Sequence, residues 1–95
     1  MAIISPLSNT HVLILDDLPE MRSSLRSQLA SLGCDKVAVS GNVKDALEQC
    51  GANKFDLILC DFYLAGGTDG QQFLEFLRSR RIISRSAVFV MVTAE

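Results

Sequence analysis

Histidine is nearly absent from this chain, His11 being the only one among 95 residues, so no Ser-His-Asp set can be assembled from it. His11 stands at the entry of an apolar run and reads as a surface residue. Cysteine is scarce and unpatterned. Cys34, Cys50 and Cys60 are odd in number and share no CxxC spacing, which points to structural thiols in a reduced, cytoplasmic chain. No stretch approaches the length of a membrane span. Met1 to Thr10 lacks the basic start and the long apolar stretch of a signal peptide. Positive charge is not in excess either: the formal net charge is −2 and the pI about 5.3, so no general affinity for nucleic acid or an anionic membrane is expected. The only basic cluster is Arg78, Arg80, Arg81 and Arg85, near the end of a predicted helix, where cations favour the helix dipole and solvent.

Glycine-rich phosphate loops are missing as well. A dinucleotide site needs Gly-x-Gly-x-x-Gly after the first strand, where this chain has Asp16-Asp17-Leu18-Pro19, and no Gly-x-x-x-x-Gly-Lys-Ser/Thr run exists. A phosphatase of the Asp-x-Asp type would need a second acid two residues after Asp61, where Tyr63 stands.

What is present is a chain with 48% hydrophobic residues, enough for the core of one small domain. Residues 1–10 read as a loose lead-in. Four apolar runs read as strands: His11 to Leu15, Lys36 to Val39, Asp56 to Cys60 and Ala87 to Val92. Three helical patterns alternate with them. Pro19 suits a first turn, Asp17 with Glu20 resembles a capping box, and Met21, Leu25, Leu29 and Leu32 recur at helical spacing before Gly33. Asn42 can cap a second helix with a stripe of Val43, Ala46, Leu47 and Cys50, ending at Gly51. A loop rich in turn formers then leads to a third helix over about Gly70 to Arg81, with Phe73, Leu74, Phe76 and Leu77 facing the core. The order βαβαβαβ with right-handed crossovers predicts an α/β fold. Its sheet is parallel, in the order 2-1-3-4, with the first helix on one face and the other two on the opposite face.

In such a sheet the polar residues that close the strands share one edge, the edge where ligands bind. Asp16 and Asp17 close the first run, Asp61 the third and Thr93 the fourth. Two unit charges about 5 Å apart at an effective dielectric of about 20 repel by roughly 3 kcal/mol. A cluster of three carboxylates therefore favours a hard divalent cation, and oxygen-only ligands suit Mg²⁺.

These residues resemble the receiver domain of two-component response regulators, the family of the chemotaxis protein CheY. The resemblance is carried by a strand ending in Asp16-Asp17, Arg22 six residues after Asp16, strands ending in Asp61 and in Thr93-Ala94, and Asp69-Gly70 in the loop after Asp61. It covers nearly the whole chain and implies a flavodoxin-like fold and a signalling module rather than an enzyme. It further implies Asp61 as phosphoacceptor from a histidine kinase or phosphotransfer protein and Mg²⁺ held by Asp16, Asp17, Asp61 and the Tyr63 backbone carbonyl. Thr93 is implied as the switch residue that hydrogen-bonds the phosphoryl group, and Ala94 as small enough to leave the pocket open.

Two departures stand out. Leu64-Ala65 replaces the family's usual Met-Pro, and Asp69-Gly70 lies one residue further from Asp61 than is typical. The family also continues with a helix, a fifth strand ending in a lysine and a closing helix, so the chain is expected to be a receiver truncated after its fourth strand. The nearest lysine, Lys54, precedes the third strand at the wrong end. Slow phosphorylation and a homodimer built around the bare fourth strand are the corresponding expectations. The alternative function is a receiver-like interaction or dimerisation module that is not phosphorylated.

Overall fold

The computed structural model describes residues 7–64 and 67–92. Among these, four strands and three helices alternate: β1 (Val12–Leu15), α1 (Pro19–Ser31), β2 (Val37–Ser40), α2 (Val43–Ala52), β3 (Leu57–Asp61), α3 (Gly70–Ser79) and β4 (Val88–Val92). The strands are parallel in the order β2-β1-β3-β4, as the crossover rule predicts. Val12 pairs with both Val37 and Leu57, and Leu57 in turn with Val88. This register brings the carboxyl ends of the strands out on one edge.

Alternation along each strand divides the core in two. Leu13 and Leu15 of β1 and Ile58 and Cys60 of β3 face Ala46 and Cys50 of α2 and Phe73 and Leu77 of α3. Val12 and Ile14 face the other way, onto Leu25 and Leu29 of α1. All four β1 residues are fully buried, as expected for a central strand covered on both faces.

Local chemistry sets the helix ends. The Asn42 side chain accepts the Asp45 N–H at 2.8 Å, the cap read from sequence. Asp69 and Gln72 form a reciprocal capping box at the start of α3, a signal the sequence reading did not use. Gly33, at φ 88°, ends α1 in the left-handed region. The Asp17–Glu20 box is not formed. The N-cap of α1 is Leu18, without a side-chain cap, because Asp17 belongs to the strand-end cluster and Pro19 already removes one N–H that would need a partner.

Four further expectations are refined. Leu32 is 60% exposed and lies outside the core, since it is the C-cap residue and not part of the helical stripe. Phe76 sits on the open flank of α3, with the Arg80 guanidinium 5.3 Å from its ring centre. Arg78 is no simple solvated cation: its guanidinium donates to the Ser84 and Ala87 carbonyls, both at 2.9 Å, and clamps the turn into β4. Residues 7–10 of the lead-in are tied down, with Thr10 N–H bonded to the Leu7 carbonyl and Leu7 packed on the α1 side of the core.

Candidate functional site

The site begins where β1 and β3 stop. Leu15 pairs with Cys60, so the next residues, Asp16 and Asp61, emerge side by side, with Asp17 one step further along the chain. The three carboxylates each bring a ligand oxygen within 4.8 Å of the others, as the sequence reading requires. Their environments differ. Asp16 is buried, Asp61 half-buried and Asp17 exposed.

Asp16 is the most constrained of the three. One oxygen accepts the Leu18 N–H at 2.9 Å, and its backbone carbonyl accepts from the Arg22 guanidinium at 2.7 Å. The six-residue spacing to Arg22 thus has a physical meaning. About one turn into α1, the arginine reaches back across the sheet edge. The guanidinium also lies against Gly41 at the end of β2, where an added Cβ would come within 3.0 Å of it. Burial raises the Asp16 carboxyl above its ordinary value of 3.8. The Leu18 N–H opposes that shift, the Asp61 and Asp17 charges add to it, and the Arg22 charge offsets part of it. A cation placed between the three carboxylates would relieve the same repulsion.

The loop after β3 is held by backbone contacts. Asp61 accepts the Tyr63 N–H at 3.3 Å, and Tyr63 forms an isolated antiparallel bridge with Asp69. The Tyr63 ring is exposed and meets Phe62 edge-on at 5.0 Å, away from any role in the cluster. Gly70 then docks α3 on the end of β3: its N–H donates to the Phe62 carbonyl at 2.7 Å, and a Cβ there would stand 2.9 Å from the Asp61 carbonyl oxygen. Sequence reasoning met this glycine as the start of the third helix and as part of a resemblance. The close approach that demands it is tertiary.

Cys60 adjoins Asp61 and is fully buried. Desolvation, helped by the Asp61 and Asp16 charges, pushes its thiol up to about 12, so it stays protonated and donates to the Asp61 carbonyl. It is a structural thiol, as expected. His11 is exposed at the far end of β1, its N–H bonded to Asp56. Thr93 and Ala94 lie outside the described residues, as do Ala65 and Gly66.

Comparisons with known proteins agree with this fold. A family model described as the response regulator receiver domain matches residues 12–95. The Regulator of RpoS of Escherichia coli (strain K12) is 37% identical over 75 residues, which make up 79% of this chain and 22% of that protein. The chain therefore spans little more than a fifth of that relative's length. Among solved structures, the N-terminal domain of a response regulator receiver protein from Methanoculleus marisnigri JR1 superposes with a TM-score of 0.81 at 25% identity, covering 93% of this chain and 69% of that one. The MaeR response regulator bound to beryllium trifluoride gives 0.79 at 26% identity, covering 90% and 68%.

Proposed function

The chain belongs to the response regulator receiver domain family, and from that membership we propose that it accepts a phosphoryl group on Asp61 from a histidine kinase or phosphotransfer protein and thereby changes its partner interactions. One observation carries the reading: the Asp61 carboxylate stands at the end of β3 within 4.8 Å of two further acid oxygens, at the ligand-binding edge of a parallel sheet. In the step itself an Asp61 oxygen attacks phosphorus and forms the acyl phosphate bond. The bond from phosphorus to the donor breaks, and its electron pair leaves with the donor. Phosphoryl transfer asks the protein mainly for positioning and charge neutralisation.

The residues present fit a hard divalent cation, because every side-chain donor is a carboxylate oxygen and the buried one, Asp16, lies beside the charges of Asp61 and Asp17. Asp17 and Asp61 would hold Mg²⁺ directly, Asp16 through water, and the Tyr63 carbonyl would complete the protein ligands. When bound, the cation supplies positive charge that offsets repulsion between the carboxylates and the incoming phosphoryl oxygens. Arg22 holds Asp16 in place through its carbonyl. Thr93, directly after β4, is assigned the hydrogen bond to a phosphoryl oxygen that biases a two-state loop. The three buried free thiols suit a reducing compartment such as the cytoplasm.

The test is incubation with a small phosphodonor and Mg²⁺ followed by intact-mass spectrometry. One added phosphoryl group is expected on the parent chain and none on Asp61→Asn. No uptake by the parent under prolonged incubation, or equal uptake by the variant, would point instead to an interaction module that is not phosphorylated.

For the polypeptide of residues 1–95 we also propose self-association through β4. Among the described residues this strand pairs only with β3, and Val88 and Val90, on the α1 side of the sheet, are 54% and 40% exposed. Unpaired apolar edges are templates for another strand, and two-fold closure is the commonest outcome. Light scattering is expected to report a dimer at high micromolar concentration. A monomer, or a dimer that survives Val90→Lys unchanged, would reject the assignment.

A further inference from the structure

The edge of the sheet opposite the carboxylates carries a cluster of basic side chains beside the exposed acids Asp35 and Asp56. Between the α2–β3 and α3–β4 turns lies a cavity of about 510 Å³, floored by Phe55 and Ile83 and rimmed by Asn53, Lys54, Arg81 and Ser84. It adjoins a second cavity of about 580 Å³ that shares Arg81, Ile83 and Ser84 and adds Arg78 and Arg85. Together they form a furrow with an apolar floor and cationic walls. Residues 76–94 contain four arginines and no acid. Among the described residues, the Lys54, Arg81 and Arg85 side chains meet no carboxylate. Asp56, the acid nearest Lys54 in sequence, has its Oδ2 engaged by the His11 N–H.

The furrow is also built firmly. The Arg78 clamp on the Ser84 and Ala87 carbonyls fixes one wall. Arg81 stands just past the C-cap of α3 at φ 54°, a left-handed conformation that glycine or asparagine adopts at less cost. The helix end would be better served by glycine, so the arginine there is unexplained by the fold alone.

We propose that this furrow is a docking site for an acidic, extended segment of a partner protein, one that sets carboxylates against Lys54, Arg81 and Arg85 and an apolar residue against the floor. Charge complementarity and an apolar floor that continues from one cavity into the next through Ile83 select this occupant. A nucleic acid is disfavoured by the formal net charge of −2 and by the absence of an exposed aromatic ring in the furrow, where Phe55 is buried. The furrow lies beyond the start of β3 and Asp61 ends it, roughly 13 Å away at about 3.3 Å per residue, so both edges can be engaged at once. The inference stands independently of phosphorylation at Asp61.

Fluorescence anisotropy with a labelled short peptide of Asp and Glu around a central leucine tests it. Saturable binding is expected, weakening as ionic strength rises. The Lys54→Gln/Arg81→Gln variant should bind at least about tenfold more weakly, whereas Arg26→Gln/Lys44→Gln, which removes the same charge from α1 and α2, should bind within about twofold of the parent. All four side chains are exposed, so both variants are expected to keep the parent's melting curve. Absence of saturable binding, equal losses in the two variants, or tighter binding of a single-stranded oligonucleotide of matched charge would each overturn the proposal.

Discussion

The Asp16→Asn/Asp17→Asn variant is expected to lose Mg²⁺ affinity by at least about a hundredfold, since even outer-shell changes at metal sites cost about 10- to 100-fold, and to melt at a higher temperature than the parent in metal-free buffer. The two effects share one cause. Because the Asp16 carboxyl in the fold is raised above 3.8, the folded chain holds its proton more tightly than the unfolded chain does. Stability from this group is therefore full at low pH and is lost as pH rises from about 3.8 through the raised value. At neutral pH the ionised, buried Asp16 works against folding, and an asparagine there removes the charge while still accepting the Leu18 N–H. Mg²⁺ should raise the melting temperature of the parent and leave that of the variant unmoved. Calorimetric titration and thermal melts at pH 7 with and without Mg²⁺ measure both. Unchanged Mg²⁺ affinity in the variant would remove the metal assignment, and a lower metal-free melting temperature would contradict the account of a buried, ionised Asp16 that opposes folding.

Two glycines are expected to respond to alanine with opposite signs. At Gly70 the new methyl meets backbone on two sides, the Asp61 carbonyl at 2.9 Å and the Phe62 Cα at 3.2 Å. Neither can swing aside like a side chain, so α3 must shift and strain its 2.7 Å bond to the Phe62 carbonyl. Overpacking of this kind costs about 1–3 kcal/mol. The shift would also displace residues 61–64, so Mg²⁺ affinity should fall along with stability. At Gly51, in the last turn of α2, a Cβ meets nothing within 4 Å. Alanine there should stabilise the chain by up to about 1 kcal/mol through helix propensity alone. Urea unfolding of the two variants beside the parent measures the contrast. A Gly70→Ala chain as stable as the parent would mean that the close approach of α3 to β3 is not maintained in solution.

Much of the fold was legible because the chain's periodicities are unmixed. Continuous apolar runs marked β1 and β3, the Val43, Ala46, Leu47, Cys50 stripe marked α2, and Asn42 and Gly33 punctuated helices as their side-chain chemistry dictates. The errors fall where one residue had two competing uses. Asp17 fits a capping box by spacing, but it is drawn into the strand-end cluster and leaves Leu18 as an N-cap with no side-chain bond. Leu32 and Phe76 fit helical stripes, but one lies past the last turn of α1 and the other is 39% exposed on the flank of α3, at a cavity it shares with Val43 and Leu47 of α2. Arg78 looked like a solvated helix-end cation because the carbonyls it clamps lie up to nine residues away, across a turn.

The sequence by itself determined the element order, the parallel sheet and the identity of the three acids, because strand ends, hydrophobic periodicity and crossover handedness are local or nearly local properties. Only the tertiary structure decided how those acids differ. The register of Leu15 on Cys60 sets Asp16 beside Asp61, burial then separates Asp16 from its exposed neighbour Asp17, and Arg22 reaches Asp16 only once α1 has folded back over the edge. The same holds for Gly70, required by an α3 that starts against the end of β3, and for the furrow between turns that are far apart in the chain. Charge and side-chain type are written residue by residue, but burial and proximity exist only after distant segments have packed.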